Sequence, residues 1–310
     1  MEAMLAIVCP GQGSQTPGFL APWLELDGAT ELLGRLSETS GMDLTEHGTV
    51  SDEETIKDTA VAQRLIVAAG LVSAHALDLD AVGGEKVLLA GHSVGEITAA
   101  ALAGVLTAEE AAALVRVRAD GMAEAAASAP TGMAAVVGGD QDEVLAAIAD
   151  HGLTPANVNG AGQTVAAGAV EKLAALGEDA PAKARVIPLK VAGAFHTEYM
   201  ASAVPALSEH VAGLSPEDPR VELLSNRDGE AVASGADALD RIVGQVTRPV
   251  RWDLCMEAMA ARGVTGILEV LPGGTLTGLA KRGLRGTRVC ALKTPDDLST
   301  AAEFIAEHTA

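Results

Sequence analysis

Gly91-His92-Ser93-Val94-Gly95 sets an activatable hydroxyl between glycines at the spacing of a strand–turn–helix elbow. In such an elbow the glycines permit close packing, and the bent backbone lifts the serine hydroxyl clear of the sheet. The helix that follows offers unpaired N–H groups and a positive dipole end to a developing oxyanion. The chemistry implied is acyl transfer through a serine ester, to water or to another acceptor. For the pentapeptide alone, the alternative is a tight turn whose serine caps the helix.

A serine nucleophile needs a base, and His151, His196, His210 and His308 follow it in the chain. His308 is expected in a frayed tail and His210 on a surface helix. His151, in Asp150-His151-Gly152, is expected to cap the C-terminus of a helix. His196 ends the extended stretch 186–195 and is favoured as base, against a strand-end histidine bonded to backbone. Arg118 has Leu114 and Val115 before it and Gly121 and Met122 after it, which places a guanidinium on the apolar stripe of a helix. It requires an anionic partner, either an internal carboxylate or an acidic substrate. Arg116 is expected to pair with Asp120 at i+4. Gly11-Gln12-Gly13-Ser14-Gln15 follows an apolar strand, but Thr16 breaks a G-x-G-x-x-G pattern. It reads as an oxyanion loop carrying Gln12 or as an ordinary Gly-rich turn. Isolated His and Cys residues predict no metal site.

These residues need a scaffold. Strands are expected at 4–9 and 86–90, with helices over 59–76, 97–106 and 108–127. Apolar strands between helices imply a mainly parallel sheet covered on both faces. From residue 130 the order becomes β-α-β-β-α-β: strand 133–137, helix 142–149, two strands within 156–167, helix 171–176 and an extended stretch 185–191. That order is the ferredoxin-like arrangement, inserted into the larger domain.

The 310 residues are 48% apolar but only 2% aromatic, so the core must be built of Ala, Val and Leu. A net charge of −21 argues against nucleic acid and against anionic membranes as partners. The longest weakly polar run, 97–108, stops at Glu109-Glu110 and falls short of the roughly 18 residues a membrane span needs. No signal peptide is expected, and Cys9, Cys255 and Cys290 read as reduced thiols of a cytoplasmic protein.

Taken together, the motifs PGQGSQ at 10–15, GHSVGE at 91–96, the Arg118 helix, ANVNGAGQTVAAG at 156–168, GAFHT at 193–197 and QVTRPVRW at 245–252 resemble the malonyl-CoA:acyl-carrier-protein transacylases of type II fatty-acid and polyketide synthesis. The resemblance covers essentially the whole chain. It implies an α/β hydrolase-like core from 1–129 and 196–310, a ferredoxin-like subdomain at 130–195, and a cleft between them. By this resemblance Ser93 is the acylated nucleophile and His196 its base, oriented by the Gln245 backbone carbonyl. Arg118 takes the malonyl carboxylate, and the N–H groups of Gln12 and Val94 form the oxyanion hole. Phe195 is the aromatic of the A-F-H motif of malonyl-selective members; Gln12, Asn157 and Asn159 complete the substrate contacts. The implied reaction is ping-pong malonyl transfer from malonyl-CoA to holo acyl carrier protein by a monomeric enzyme, with no metal or redox cofactor. The carrier is usually acidic in such systems, so docking is expected to use a local basic patch. Either Lys281, Arg282, Arg285 and Arg288 or Lys183, Arg185 and Lys190 could receive an acidic helix or coenzyme A phosphates, the alternative for each being ordinary solvated charges.

Overall fold

The computed structural model describes residues 3–309. Strand β1 (Leu5–Cys9) is buried along its whole length, as a continuous apolar run covered on both faces must be. It is central in a parallel sheet with β2 (Val87–Gly91), β7 (Glu222–Leu224), β9 (Gly266–Glu269) and β10 (Arg288–Ala291), in the order β10-β9-β1-β2-β7. Cys9 pairs with Gly91 in register, so the loops after β1 and β2 leave the same carboxyl edge side by side. Open α/β sheets bind ligands at this edge.

The second sheet contains β3 (Thr131–Gly138), β4 (Thr154–Gly160), β5 (Gln163–Ala169) and β6 (Ala184–Pro188), with helices Gln141–Asp150 and Val170–Glu178. Its order is β6-β3-β5-β4, and these four strands are antiparallel to their neighbours. The sheet is not closed on residues 130–195. A fifth strand, β8 (Val250–Arg251), comes from the returning chain and pairs parallel to β4, opposite Asn157 and Val158. A strand from beyond residue 195 therefore completes the edge of the second sheet.

Local chemistry explains the helices that frame the site. Thr107 and Glu110 form a reciprocal capping box that starts the helix Ala108–Ala127. Asp58 accepts from the N–H groups of Ala60 and Val61 to start the helix Thr59–Ala76. This helix, and not the 97–108 run, is long and apolar enough to cross a membrane by length and composition, yet it packs inside the fold. The helix beginning at Gly95 ends at Leu102, short of the expected residue 106.

Two expected surface features are corrected. Asp120 does not pair with Arg116: its carboxylate receives Arg64 Nη2 at 2.7 and 2.8 Å, from the neighbouring helix, while Arg116 lies over Gly41. His308 is not in a frayed tail. It is buried on the C-terminal helix Leu298–Thr309, with Nδ1 2.9 Å from Thr265 Oγ1 and its ring against Phe304 and Gly266.

Candidate active site

Ser93 sits at φ 55°, a left-handed conformation that a non-glycine residue adopts only when its surroundings enforce it. The neighbouring glycines show what enforces it. A Cβ on Gly95 would lie 2.1 Å from the Cys9 carbonyl oxygen, and one on Gly91 would lie 2.1 Å from the Gly95 carbonyl carbon. The elbow thus closes directly onto the end of β1, and His92 N–H donates to Cys9 O at 2.9 Å. Ser93 N–H donates to Asn226 Oδ1 at 2.8 Å, and Asn226 Nδ2 reaches Gly91 O at 2.7 Å.

His196 is the second strained residue, at φ 61°. Its turn is clamped where the chain returns from the second sheet: Ala194 N–H donates to Thr131 Oγ1, and Thr197 Oγ1 donates to Ala194 O. His196 Nε2 lies 2.7 Å from Ser93 Oγ, and Nδ1 lies 2.8 Å from the Gln245 carbonyl oxygen. A carbonyl can only accept, so Nδ1 carries the proton and Nε2 faces the serine as an acceptor. Burial and the nearby Arg118 charge push the His196 pKa down to about 3. The imidazole is therefore neutral near pH 7, as a proton acceptor must be.

Arg118 reaches the same point from the helix Ala108–Ala127 and is 1% exposed. Nη1 donates to Gln63 Oε1 at 2.6 Å and Nη2 to Gln245 Oε1 at 2.8 Å; Nη2 is also 3.4 Å from Ser93 Oγ. Nε is buried, with no acceptor among the described residues. Among the described residues no carboxylate forms a salt bridge with Arg118. Burial pushes its pKa down to about 10, which leaves it protonated at neutral pH.

A cavity of about 310 Å³ opens over these groups, lined by Gln12, Ser93, Val94, Arg118, Phe195 and His196 among others. Gln12 and Val94 line it from the two adjacent loops, and among the described residues neither backbone N–H has a hydrogen-bond acceptor. The Gln12 loop is held by its own side chains: Gln15 accepts from Gly13 N–H and donates to Ile56 O. Asn157 also lines the cavity, and its Oδ1 is buried with no donor among the described residues. Asn159 is set back from the cavity. Its Oδ1 lies 2.8 Å from His92 Nε2 and its Nδ2 donates to Gln163, so it orients His92 instead of offering a free group. Lys57 and Lys190 join the lining.

The remaining histidines lie elsewhere. His151 caps its helix beside the Ala147 carbonyl, and His210 is half-buried on the helix Val204–Ala212. The two basic clusters lie outside the cavity apart from Lys190, and Arg288 pairs with Glu307. Sequence reasoning missed Gln63, Asn226 and Glu96, and it missed the Gln245 side chain. Glu96 was visible as the last residue of GHSVGE and Gln245 as the first of QVTRPVRW; Gln63 and Asn226 carry no local signal.

The chain matches the acyl transferase domain family over residues 6–301. It is 51% identical over 302 residues to a malonyl CoA-acyl carrier protein transacylase of Mycobacterium tuberculosis, covering 97% of this chain and 100% of that protein. It is 33% identical over 312 residues to the Escherichia coli K12 protein of the same name, covering 96% and 99% of the two chains. Among solved structures, the Mycobacterium tuberculosis protein superposes with a TM-score of 0.93, covering 96% of this chain and 99% of that one. A malonyl-transacylase in complex with its type II polyketide-synthase acyl-carrier protein superposes with a TM-score of 0.91 at 30% identity, covering 97% of this chain and 99% of that one.

Proposed function

The chain belongs to the malonyl-CoA:acyl-carrier-protein transacylases of the acyl transferase family and is an acyltransferase; from that premise we propose that it moves a malonyl group from coenzyme A to holo acyl carrier protein through a malonyl ester of Ser93. The observation that carries this reading is a buried cationic fork beside the nucleophile without a direct counter-ion among the described residues. The architecture is read accordingly as a hydrolase-like core with an inserted ferredoxin-like unit, the cleft between them holding the site.

In the first half-reaction His196 Nε2 takes the Ser93 proton as Oγ attacks the thioester carbonyl carbon. The N–H groups of Gln12 and Val94 receive the oxyanion, strengthened by the N-terminus of the helix Gly95–Leu102. The C–S bond then breaks, and the coenzyme A thiolate takes the proton back from His196. In the second half-reaction the phosphopantetheine thiol of the carrier gives its proton to His196 and attacks the ester. The Ser93 oxygen leaves with that proton. No step calls on a metal or redox cofactor.

Arg118 selects the acyl group. A bidentate guanidinium–carboxylate pair in a water-poor cleft favours malonyl, whereas acetyl leaves the fork without its partner. Phe195 crowds the malonyl α-carbon and disfavours a methyl branch, and Asn157 Oδ1 accepts from a substrate N–H. The carrier's acidic surface is met by the basic clusters, of which Lys190 lies nearest the cavity. The test is isotope exchange: labelled coenzyme A must enter malonyl-CoA without carrier protein. Exchange that requires the carrier would replace the acyl-enzyme with a ternary complex.

A further inference from the structure

Glu96 takes no part in the steps above, yet it is buried three residues past the nucleophile. Both of its oxygens are engaged. Oε1 accepts from Asn226 N–H at 2.6 Å and Oε2 from Gln245 Nε2 at 2.5 Å. Gln245 turns its Oε1 to Arg118 Nη2 at 2.8 Å. A carboxylate only accepts and a guanidinium only donates, so a single orientation of the Gln245 amide satisfies both neighbours. Reversed, its NH₂ would oppose the guanidinium and its oxygen would oppose the carboxylate. Gln245 Nε2 also lies 3.2 Å from the Ser93 carbonyl oxygen and 3.1 Å from Asn226 Oδ1, which favour the same orientation. Glu96 is the nearest of the three acceptors and the one that can carry charge, so it contributes most to fixing the orientation in which Gln245 holds Arg118.

Charge points the same way. A buried guanidinium with no negative charge nearby is costly, whereas a direct ion pair would occupy the donors that substrate needs. Glu96 stands between these extremes, compensating Arg118 across one amide. Burial opposes this charge and pushes the carboxyl up to about 7, against the downward pull of the Asn226 N–H and the Arg118 charge; the donor on each of its oxygens is the arrangement of the ionised form.

We infer that Glu96 is a positioning residue for acyl selection: acting through Gln245, it holds Arg118 ready for the malonyl carboxylate without consuming the donors that receive it. This rests on the malonyl-transfer reading above and extends it to the origin of acyl-group choice.

The test compares acylation rates from malonyl-CoA and acetyl-CoA for the wild type, Glu96→Gln, Arg118→Ala and the double variant. Glu96→Gln keeps the side-chain size but removes the charge and sets an NH₂ against one of two donors. The malonyl-to-acetyl ratio is expected to fall about 10- to 100-fold, with half-saturation by malonyl-CoA rising and the acetyl rate falling far less. In the Arg118→Ala background, Glu96→Gln should leave the ratio unaltered. Equal losses for both acyl groups, an unchanged ratio, or a full effect without Arg118 would each overturn the inference. Should Glu96→Gln not fold by circular dichroism, Glu96→Asp, whose carboxylate is withdrawn by one methylene, supports the same comparison with a smaller fall expected. A wild type that forms no malonyl adduct would overturn the underlying reading instead.

Discussion

Ser93 and His196 are positioned through their backbone, which glycine contacts and side-chain clamps hold at positive φ, whereas the Arg118 guanidinium is positioned by side chains alone. At the reacting end two residues are held at positive φ, glycines close the elbow onto β1, and the base is oriented by a main-chain carbonyl. At the recognising end two glutamine amides hold the guanidinium, and one of them is fixed by a buried carboxylate. Gln245 joins the two ends, giving its carbonyl to His196 and its side chain to Arg118. The difference separates two tasks. Chemistry needs atoms fixed to within a fraction of an ångström, which steric constraint supplies. Selection needs a cation that is desolvated but still available, which neutral acceptors supply and an ion pair would not.

This contrast is open to attack at either end. The largest effect should follow loss of the acyl-accepting oxygen: Ser93→Ala abolishes covalent acylation, and His196→Ala slows it about 10²- to 10⁴-fold, both read by rapid-quench mass spectrometry. Gly95→Ala should be nearly as damaging, because its Cβ would lie 2.1 Å from a backbone oxygen. Loss of both activity and thermal stability is expected, and a folded, active Gly95→Ala protein would show that the elbow is not sterically set. At the recognising end, Arg118→Ala should lower kcat/KM for malonyl-CoA by about 10³-fold or more while sparing acetyl transfer relatively.

Smaller effects sharpen the comparison. A lowered pKa keeps His196 unprotonated as pH falls, so base catalysis should persist well below the ordinary imidazole value of 6.5. Turnover of p-nitrophenyl acetate, which offers no carboxylate to Arg118, should stay flat from about pH 8 to about pH 5. A midpoint at the ordinary value would mean that burial does not control the base. Smallest of all, Phe195→Ser should raise methylmalonyl relative to malonyl transfer about tenfold, measured by competition between the two thioesters.

Much of the reacting end was legible in the sequence because its determinants are local. The elbow is one pentapeptide after an apolar strand; at the recognising end the helices at 59–76 and 108–127, which carry Gln63 and Arg118, likewise begin at capping residues the chain itself supplies. The order of elements from 130 to 190 was also readable from periodicity. What escaped was tertiary. Strands β7 and β8, of three and two residues, are too short to show a period. The Arg64–Asp120 pair crosses two helices, so spacing within one helix pointed to Arg116 instead. His308 lies near the chain end but is tied down by Thr265 and Phe304. The network around Arg118 draws on positions 63, 96, 226 and 245, which only the fold brings together.

The central claim is a malonyl ester on Ser93 that the carrier protein discharges. It is tested most directly by intact mass after brief exposure to malonyl-CoA and acid quench, with peptide mapping of the adduct. The account predicts one malonyl group on the Ser93 peptide, none on Ser93→Ala, and its loss with malonylation of added holo carrier protein. Steady release of free coenzyme A with no adduct and no malonylated carrier would contradict it, and would identify a hydrolase built on the same elbow.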